Sequence, residues 1–206
     1  MINNRLKTNT YVLLILLLFV ACGDKAPQVS KLAPSDVIVA FGDSITFGTG
    51  ATEAESYPAV LSSLIGRPVV KSGVPGEVTA GGLARLPGVL EEHNPKLVLL
   101  CLGGNDMLRK HNEAETRSNL RTMIKMLKDK NINVILIGVP KPAMITSAPE
   151  FYSEIAKEFG IPYEAKIVTS VLYNPGEKAD PIHPNAKGYK RMAEALAALM
   201  KKSGAI

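Results

Sequence analysis

Residues 37–50 read VIVAFGDSITFGTG and change character part of the way along. The apolar, β-branched run at residues 37–41 predicts a fully buried strand. Gly42 ends that run, because glycine permits a tight turn. Ser44 would then stand at the carboxyl edge of a sheet, where open α/β sheets bind their ligands. Ser44 is therefore our candidate nucleophile.

The rest of the chain alternates between two kinds of pattern. Apolar runs predict further strands at residues 68–71, 97–102, 133–137 and 161–163. Helical spacing or capping residues predict helices at residues 57–65, 78–92, 113–130, 150–159 and 185–202. Asn185 is the predicted cap of the last helix. Strands that alternate with helices indicate parallel βαβ units. We expect a three-layer α/β fold with a doubly wound parallel sheet of about five strands.

Composition and charge narrow the function classes. The chain has 206 residues, 46% of them hydrophobic, which suits one globular domain. Its formal charge of +5 is scattered, without basic tracts that interleave with aromatics, so we expect no nucleic-acid partner. His93 and His111 lie in polar loops and have no third ligand at metal spacing, so we expect no metal site, and we expect no cofactor.

The first 21 residues are predicted to be a signal peptide. Arg5 and Lys7 supply positive charge ahead of an apolar run at residues 11–21, which is shorter than the roughly 20 residues that a spanning helix needs. The run ends at Ala21 and Cys22, which resembles a bacterial lipoprotein processing site.

In such proteins the leader is cut before the cysteine, and the thiol carries diacylglycerol. On this interpretation Cys22 is lipidated, residues 22–36 form a mobile polar tether and residues 37–206 form the domain. The protein would then be anchored in the membrane of the bacterial cell envelope. An ordinary secretory leader and a short uncleaved anchor are the alternatives.

Three further stretches with chemical potential lie beside predicted strand or helix ends: residues 72–79, 102–106 and 180–184. The carboxyl ends of parallel strands meet at one edge of a sheet, so we expect these loops to lie near Ser44. A serine hydroxyl needs a base, and an imidazole needs a carboxylate to fix its tautomer. Asp180 and His183 could present both groups from one turn. The Ser44 and Gly76 backbone N–H groups and the Asn105 side chain could bind a developing oxyanion.

With these residues in place, the chain resembles the SGNH hydrolases, also called the GDSL esterase/lipase family. Gly42-Asp43-Ser44-Ile45 matches the first signature with Ile for the usual Leu, Gly76 the second, Gly103-x-Asn105-Asp106 the third and Asp180-x-x-His183 the last. The resemblance covers residues 37–199 and is strongest to the bacterial acyl-CoA thioesterase I, lysophospholipase L1 or arylesterase subgroup. It implies a flavodoxin-like fold, Ser44 as nucleophile, His183 as base and Asp180 as its partner, and an oxyanion hole made by Ser44, Gly76 and Asn105. The sequence departs from the family pattern ahead of this glycine, since Lys71 stands where close relatives often carry Asn and Pro75 precedes Gly76.

The resemblance implies a serine esterase that acts on a small acyl ester, thioester or lysophospholipid. An acetylesterase on carbohydrate and a non-catalytic flavodoxin-like binding module remain the alternatives. Residues 140–149 form a loop that is long for its position. Met144 and Ile145 within it either line an acyl groove or plug the loop onto the core.

Overall fold

The computed structural model of the chain describes residues 27–141 and 147–206. Its strands form one five-stranded parallel sheet in the order β2-β1-β3-β4-β5. The strands are β1 (Ile38–Gly42), β2 (Val69–Gly73), β3 (Leu97–Cys101), β4 (Asn133–Ile137) and β5 (Tyr163–Glu164). The predicted doubly wound parallel sheet of about five strands is therefore confirmed.

Helices connect these strands. They are α1 (Ser44–Phe47), α2 (Tyr57–Ile65), α3 (Thr79–His93), α4 (Gly104–Leu108), α5 (Glu113–Asp129), α6 (Glu150–Phe159), α7 (Ile167–Tyr173) and α8 (Ala186–Lys202), with short 3-10 turns at Glu53–Glu55 and Pro175–Glu177. The bounds of α2, β4 and α6 match the sequence predictions. The predictions missed α1, α4 and α7, because a segment of one or two turns is too short to show helical periodicity.

The direction in which successive strands join the sheet reverses after β2. The connection through α2 leads from β1 to β2 at one edge, whereas the later connections lead through β3 and β4 toward β5. Because parallel crossovers are right-handed, this reversal puts α2 on one face of the sheet and α3, α5 and α6 on the other. The crevice beyond the carboxyl ends of β1 and β3 is therefore the expected ligand site.

Burial follows from this layering. All five residues of β1 and all five of β3 are buried, since helices cover both faces of the central strands. The edge strand β2 is half-buried along its whole length. The two central strands are thus held rigidly where Ser44 and Asn105 follow them.

Residues 29–32 belong to the predicted mobile tether of residues 22–36, and in the structure they contact the C-terminal end of the chain. The Val29 N–H donates to the Ser203 carbonyl at 3.0 Å, and the Leu32 N–H donates to the Ala205 carbonyl at 2.9 Å. Leu32 is buried, and its carbonyl accepts a hydrogen bond from Arg67 at 3.1 Å. Residues 29–32 therefore dock on the end of the chain, because Leu32 gains a place in the core. Cys22 and the predicted leader lie outside the described residues.

Within the two described ranges, none of the helices combines the length and the apolar character required to cross a bilayer.

Candidate active site

Ser44 is held in a tight transition from strand to helix. It is the first residue of α1, directly after the buried end of β1. Asp43 caps the helix, and its Oδ1 accepts the Ile45 N–H at 3.0 Å. A Cβ on Gly42 would lie 2.3 Å from the Thr46 Oγ1 and 2.4 Å from the Cys101 carbonyl, so only glycine fits there. The Ser44 N–H is the first of its helix and has no carbonyl behind it to accept it.

Asp180 and His183 meet Ser44 from the other end of the chain. The His183 Nε2 lies 2.9 Å from the Ser44 Oγ, and its Nδ1 lies 2.7 Å from the Asp180 Oδ2. The Asp180 Oδ1 accepts the backbone N–H groups of Ile182 and His183 at 2.8 and 2.9 Å. The turn therefore fixes the carboxylate, and the carboxylate favours the tautomer in which Nε2 is free to accept the serine proton.

Helix α8 holds this turn against the loop that follows Ser44. The Asn185 side chain caps α8 by accepting the N–H groups of Lys187 and Gly188 at 3.0 and 3.1 Å, as predicted for this position. One turn further on, the buried Tyr189 donates its hydroxyl proton to the Thr49 carbonyl at 2.7 Å. A single helix thus links the histidine turn to the serine loop.

The two carboxyl groups near Ser44 have different electrostatic environments. Burial alone would raise the pKa of Asp180, but the hydrogen bonds from His183 and from the Ile182 N–H outweigh it and leave the pKa below its usual value. Asp180 is thus ionised beside the imidazole. Burial raises the pKa of Asp43 to about 7, against the lowering effects of the Ile45 N–H and the His183 charge. Asp43 therefore titrates near neutral pH.

Asn105 and Gly76 come from the neighbouring loops. Asn105 lies in α4, directly beyond β3, and its Nδ2 donates to the Glu77 carbonyl at 3.0 Å and to the Asp43 Oδ2 at 3.2 Å. Gly76 adjoins Glu77 in the loop after β2. It does not line the groove beside Ser44, although its neighbour contacts Asn105.

An apolar groove opens beside Ser44 and His183. Its polar walls are Asp43, Ser44, Asn105 and His183, and its other walls are Ile45, Gly104, Leu108, Val139, Pro140, Leu172, Pro181 and Ile182. Sequence reasoning found Asn105 but missed the apolar groove residues Leu108 of α4 and Leu172 of α7. The available signal was the position of Leu108, which lies three residues after Asn105 and two residues beyond the stretch 102–106 assigned to the site.

The structure therefore brings together most of the predicted site. Ser44, Asp180, His183 and Asn105 meet at one edge of the sheet, whereas Gly76 lies outside the groove wall and is linked to them only through its neighbour Glu77. Met144 and Ile145, predicted for the acyl groove, lie outside the described residues.

The geometry suits acyl transfer. A serine hydroxyl, an imidazole and an ionised carboxylate form a continuous hydrogen-bonded chain, which is the arrangement that makes a serine nucleophilic at neutral pH. In the part of the chain that the structure describes, no group of three His, Cys, Asp or Glu residues is arranged to hold a metal ion.

Comparison with known proteins gives the same result. The model of the GDSL-like Lipase/Acylhydrolase family matches residues 40–191. Thioesterase 1/protease 1/lysophospholipase L1 of Escherichia coli strain K12 is 30% identical over 175 residues, which cover 81% of this chain and 84% of that protein. Esterase TesA of Pseudomonas aeruginosa is 28% identical over 179 residues, covering 81% and 88%.

Solved structures agree with these sequence matches. The crystal structure of TesA superimposes with a TM-score of 0.72 at 28% identity, covering 81% of this chain and 98% of that one. The structure of AlinE4, an SGNH-hydrolase family esterase, gives a TM-score of 0.64 at 30% identity, covering 84% and 98%. Family model, relatives and fold coincide over most of the chain, which therefore belongs to the GDSL-like lipase/acylhydrolase family, the SGNH hydrolases, and is a serine esterase.

Proposed function

We propose that Ser44 is the nucleophile of this esterase, that His183 is its general base and that Asp180 orients and stabilises the imidazole. The observation that carries the assignment is the pair of hydrogen bonds of 2.9 and 2.7 Å that joins the three side chains. Both distances fall in the range that proton transfer requires.

The proposed reaction proceeds in two half-reactions. As the Ser44 Oγ attacks the acyl carbonyl carbon, the His183 Nε2 takes its proton, and the carbonyl oxygen becomes an oxyanion. The C–O or C–S bond to the leaving group then breaks, His183 donates its proton to that group, and an acyl-Ser44 ester remains. A water molecule, deprotonated by His183, attacks this ester in the second half. Collapse releases the carboxylic acid and returns the proton to Ser44.

The proposed oxyanion hole consists of the Ser44 and Gly76 backbone N–H groups and the Asn105 Nδ2. The unpaired first N–H of α1 supports the role of Ser44. The position of Asn105 in the groove wall supports the role of that side chain. Its two N–H hydrogens face the Glu77 carbonyl at 3.0 Å and the Asp43 Oδ2 at 3.2 Å, so release of the more distant Asp43 contact would free one hydrogen for the oxyanion. Such donors stabilise charge that develops in the transition state.

We further propose that the substrates are small acyl esters, including aryl esters, thioesters and lysophospholipids. The groove beside Ser44 has apolar walls, which suit an acyl chain rather than a sugar. These walls are formed by Ile45, Leu108, Val139, Leu172 and Ile182. Two relatives carry the names thioesterase 1/protease 1/lysophospholipase L1 and arylesterase, which supports this range.

Membrane attachment is also part of the proposal. The apolar run that ends at Ala21 and Cys22 supports lipidation of Cys22 after removal of the leader. The enzyme would then work in the bacterial cell envelope, held at a membrane through its lipid.

The test replaces the nucleophile and uses a matched serine as control. Ser44→Ala should lower esterase activity by at least about a thousandfold, since nucleophile and base act as a unit. Ser63→Ala should leave activity unchanged, because Ser63 is exposed on α2 and its hydroxyl bonds only to the Ala59 carbonyl. A fluorophosphonate probe should label the wild type and the control but not Ser44→Ala. Equal labelling of all three proteins would refute the assignment of Ser44.

p-Nitrophenyl esters from acetate to palmitate, measured beside acyl-CoAs and a lysophospholipid, then test the substrate range. A preference for acetylated carbohydrate over every one of these compounds would contradict it.

A further inference from the structure

The loop between β2 and α3 carries Gly76, and its backbone forms a turn. The Glu77 N–H donates to the Val74 carbonyl at 3.1 Å, with Pro75 and Gly76 as the central residues. Gly76 has a φ of +77°, which matches a type II turn with proline at its second position and glycine at its third. Pro75 is therefore suited to this turn.

Arg85 of α3 binds the carboxyl ends of β1 and β2 and also the loop that carries Gly76. Its Nε and Nη2 donate to the two carboxylate oxygens of Glu77, each at 2.7 Å. Its Nη1 donates to the Ser72 Oγ at 2.7 Å, and its Nη2 also lies 3.0 Å from the Ser72 carbonyl and 3.2 Å from the Gly42 carbonyl. The guanidinium lies over the Phe41 ring, 3.9 Å from its centre. One side chain thus ties the residues before Asp43 and Ser44 to the loop of Gly76.

Glu77 passes this constraint on to Asn105. The Glu77 side chain is only 8% exposed and is held at both oxygens by Arg85. The Glu77 main-chain carbonyl accepts the Asn105 Nδ2 at 3.0 Å, whereas the other acceptor of that amide, the Asp43 Oδ2, is farther away at 3.2 Å. A shift of Glu77 would therefore move the Gly76 N–H and rotate the Asn105 amide together.

We propose that Arg85 and Glu77 are positioning residues for the oxyanion hole, which they act on through the Gly76 loop and the Asn105 side chain. This proposal rests on the proposed function, in which Gly76 and Asn105 donate to the oxyanion. Lysine cannot replace Arg85, because an ammonium group lacks the planar fork that binds a carboxylate at two points.

The experiment is a double-mutant cycle between Arg85→Lys and Asn105→Ala in the full chain. Arg85→Lys should lower kcat by about 10- to 100-fold, since a displacement of about 1 Å at a reacting group reduces rates about 100-fold. KM should change less than about twofold, because oxyanion contacts strengthen mainly in the transition state. In the Asn105→Ala background, Arg85→Lys should cause a loss of kcat that is at least about threefold smaller. The reason is that the Asn105 amide, one of the groups that Arg85 positions, is already absent.

A purely structural role predicts something else. It would lower the melting temperature and the fraction of active enzyme but would give the same loss of kcat per active site in both backgrounds. Active sites are therefore titrated with the fluorophosphonate probe. Equal losses in the two backgrounds, or an unchanged kcat per active site, would overturn the proposal.

Two further variants complete the design. Arg121→Lys is the matched control, since Arg121 also binds a carboxylate at 2.7 Å, that of Glu158, but on the exposed surface of α5; its kcat should equal that of the wild type. If Arg85→Lys does not fold, Glu77→Gln replaces it in the same cycle and is judged by the same threefold criterion. Failure of the proposed function would look different, because the probe would then fail to label Ser44 in the wild type.

Discussion

The carboxyl group of Asp43 should make the stability of the protein depend on pH. Asp43 is 2% exposed, and burial raises its pKa from 3.8 to about 7. Nearby Glu77 also raises this pKa, while the Ile45 N–H and the His183 charge lower it. The folded protein therefore binds a proton at Asp43 more tightly than the unfolded chain does. Asp43→Asn keeps the shape of the side chain and the acceptor for Ile45 but removes this titration.

Proton linkage determines whether the stability rises or falls with pH. Because the folded pKa lies above the unfolded one, the stabilising contribution of Asp43 is complete below about pH 4 and is lost as the pH rises through about 7. A difference of about three pKa units corresponds to about 4 kcal/mol in the free energy of unfolding. As the pH rises from about 4 to about 8, the free energy of unfolding of Asp43→Asn should therefore increase by about 4 kcal/mol relative to that of the wild type.

Urea unfolding of both proteins at about pH 4.5, 6 and 8 measures this difference. Asp129→Asn serves as the control, because Asp129 is exposed at the end of α5 and its pair with Lys125 is solvated. The control should follow the wild type at every pH. A stability difference between Asp43→Asn and the wild type that stays constant within about 1 kcal/mol over this range would refute the reasoning.

Three further predictions concern the triad, the anchor and the loop after β4. Asp180→Asn should lower kcat by about 100- to 10,000-fold through the wrong imidazole tautomer and leave the melting temperature nearly unchanged, since its side chain is 44% exposed; an unchanged kcat in an ester assay would contradict this. Cys22→Ser should move the enzyme from the membrane fraction to the supernatant, and a mutant that still sediments with its leader attached would show that the apolar run is the anchor. Met144→Ala with Ile145→Ala should lower kcat/KM for octanoyl esters far more than for acetyl esters, because each buried CH₂ contributes about 0.8 kcal/mol; equal losses with a lower melting temperature would assign both residues to the core.

The central part of the fold could be predicted because its pattern is local. Strands β1 and β3 are buried on both faces, so their sequences are continuous apolar runs that need no neighbour to be recognised. Ser44 and Asn105 follow these strands directly, and the parallel sheet then brings them to one edge. The turn of Asp180 and His183 could be predicted for a similar reason, since its two side chains are only three residues apart.

Other features depend on contacts that a single sequence does not contain. Residues 29–32 have the composition of a loop, and they dock because the carbonyls of Ser203 and Ala205 are available at the other end of the chain. The groove walls Leu108 and Leu172 come from α4 and α7, which are too short to show a helical period. Contacts between residues far apart in the sequence, rather than a local pattern, place both residues 29–32 and these groove walls.

Arg85 illustrates why the support of a site is harder to read than its chemistry. In the sequence it is one charged residue in a helix that also contains glycines and a proline, and charged helical residues usually face solvent. It is turned inward because the carbonyls of Gly42 and Ser72 and the carboxylate of Glu77 converge at one point. That point exists only when β1 and β2 pair in register, with Gly42 opposite Gly73. The acceptors that make Arg85 a positioning residue are thus products of the sheet, so its role follows from the fold and cannot precede it.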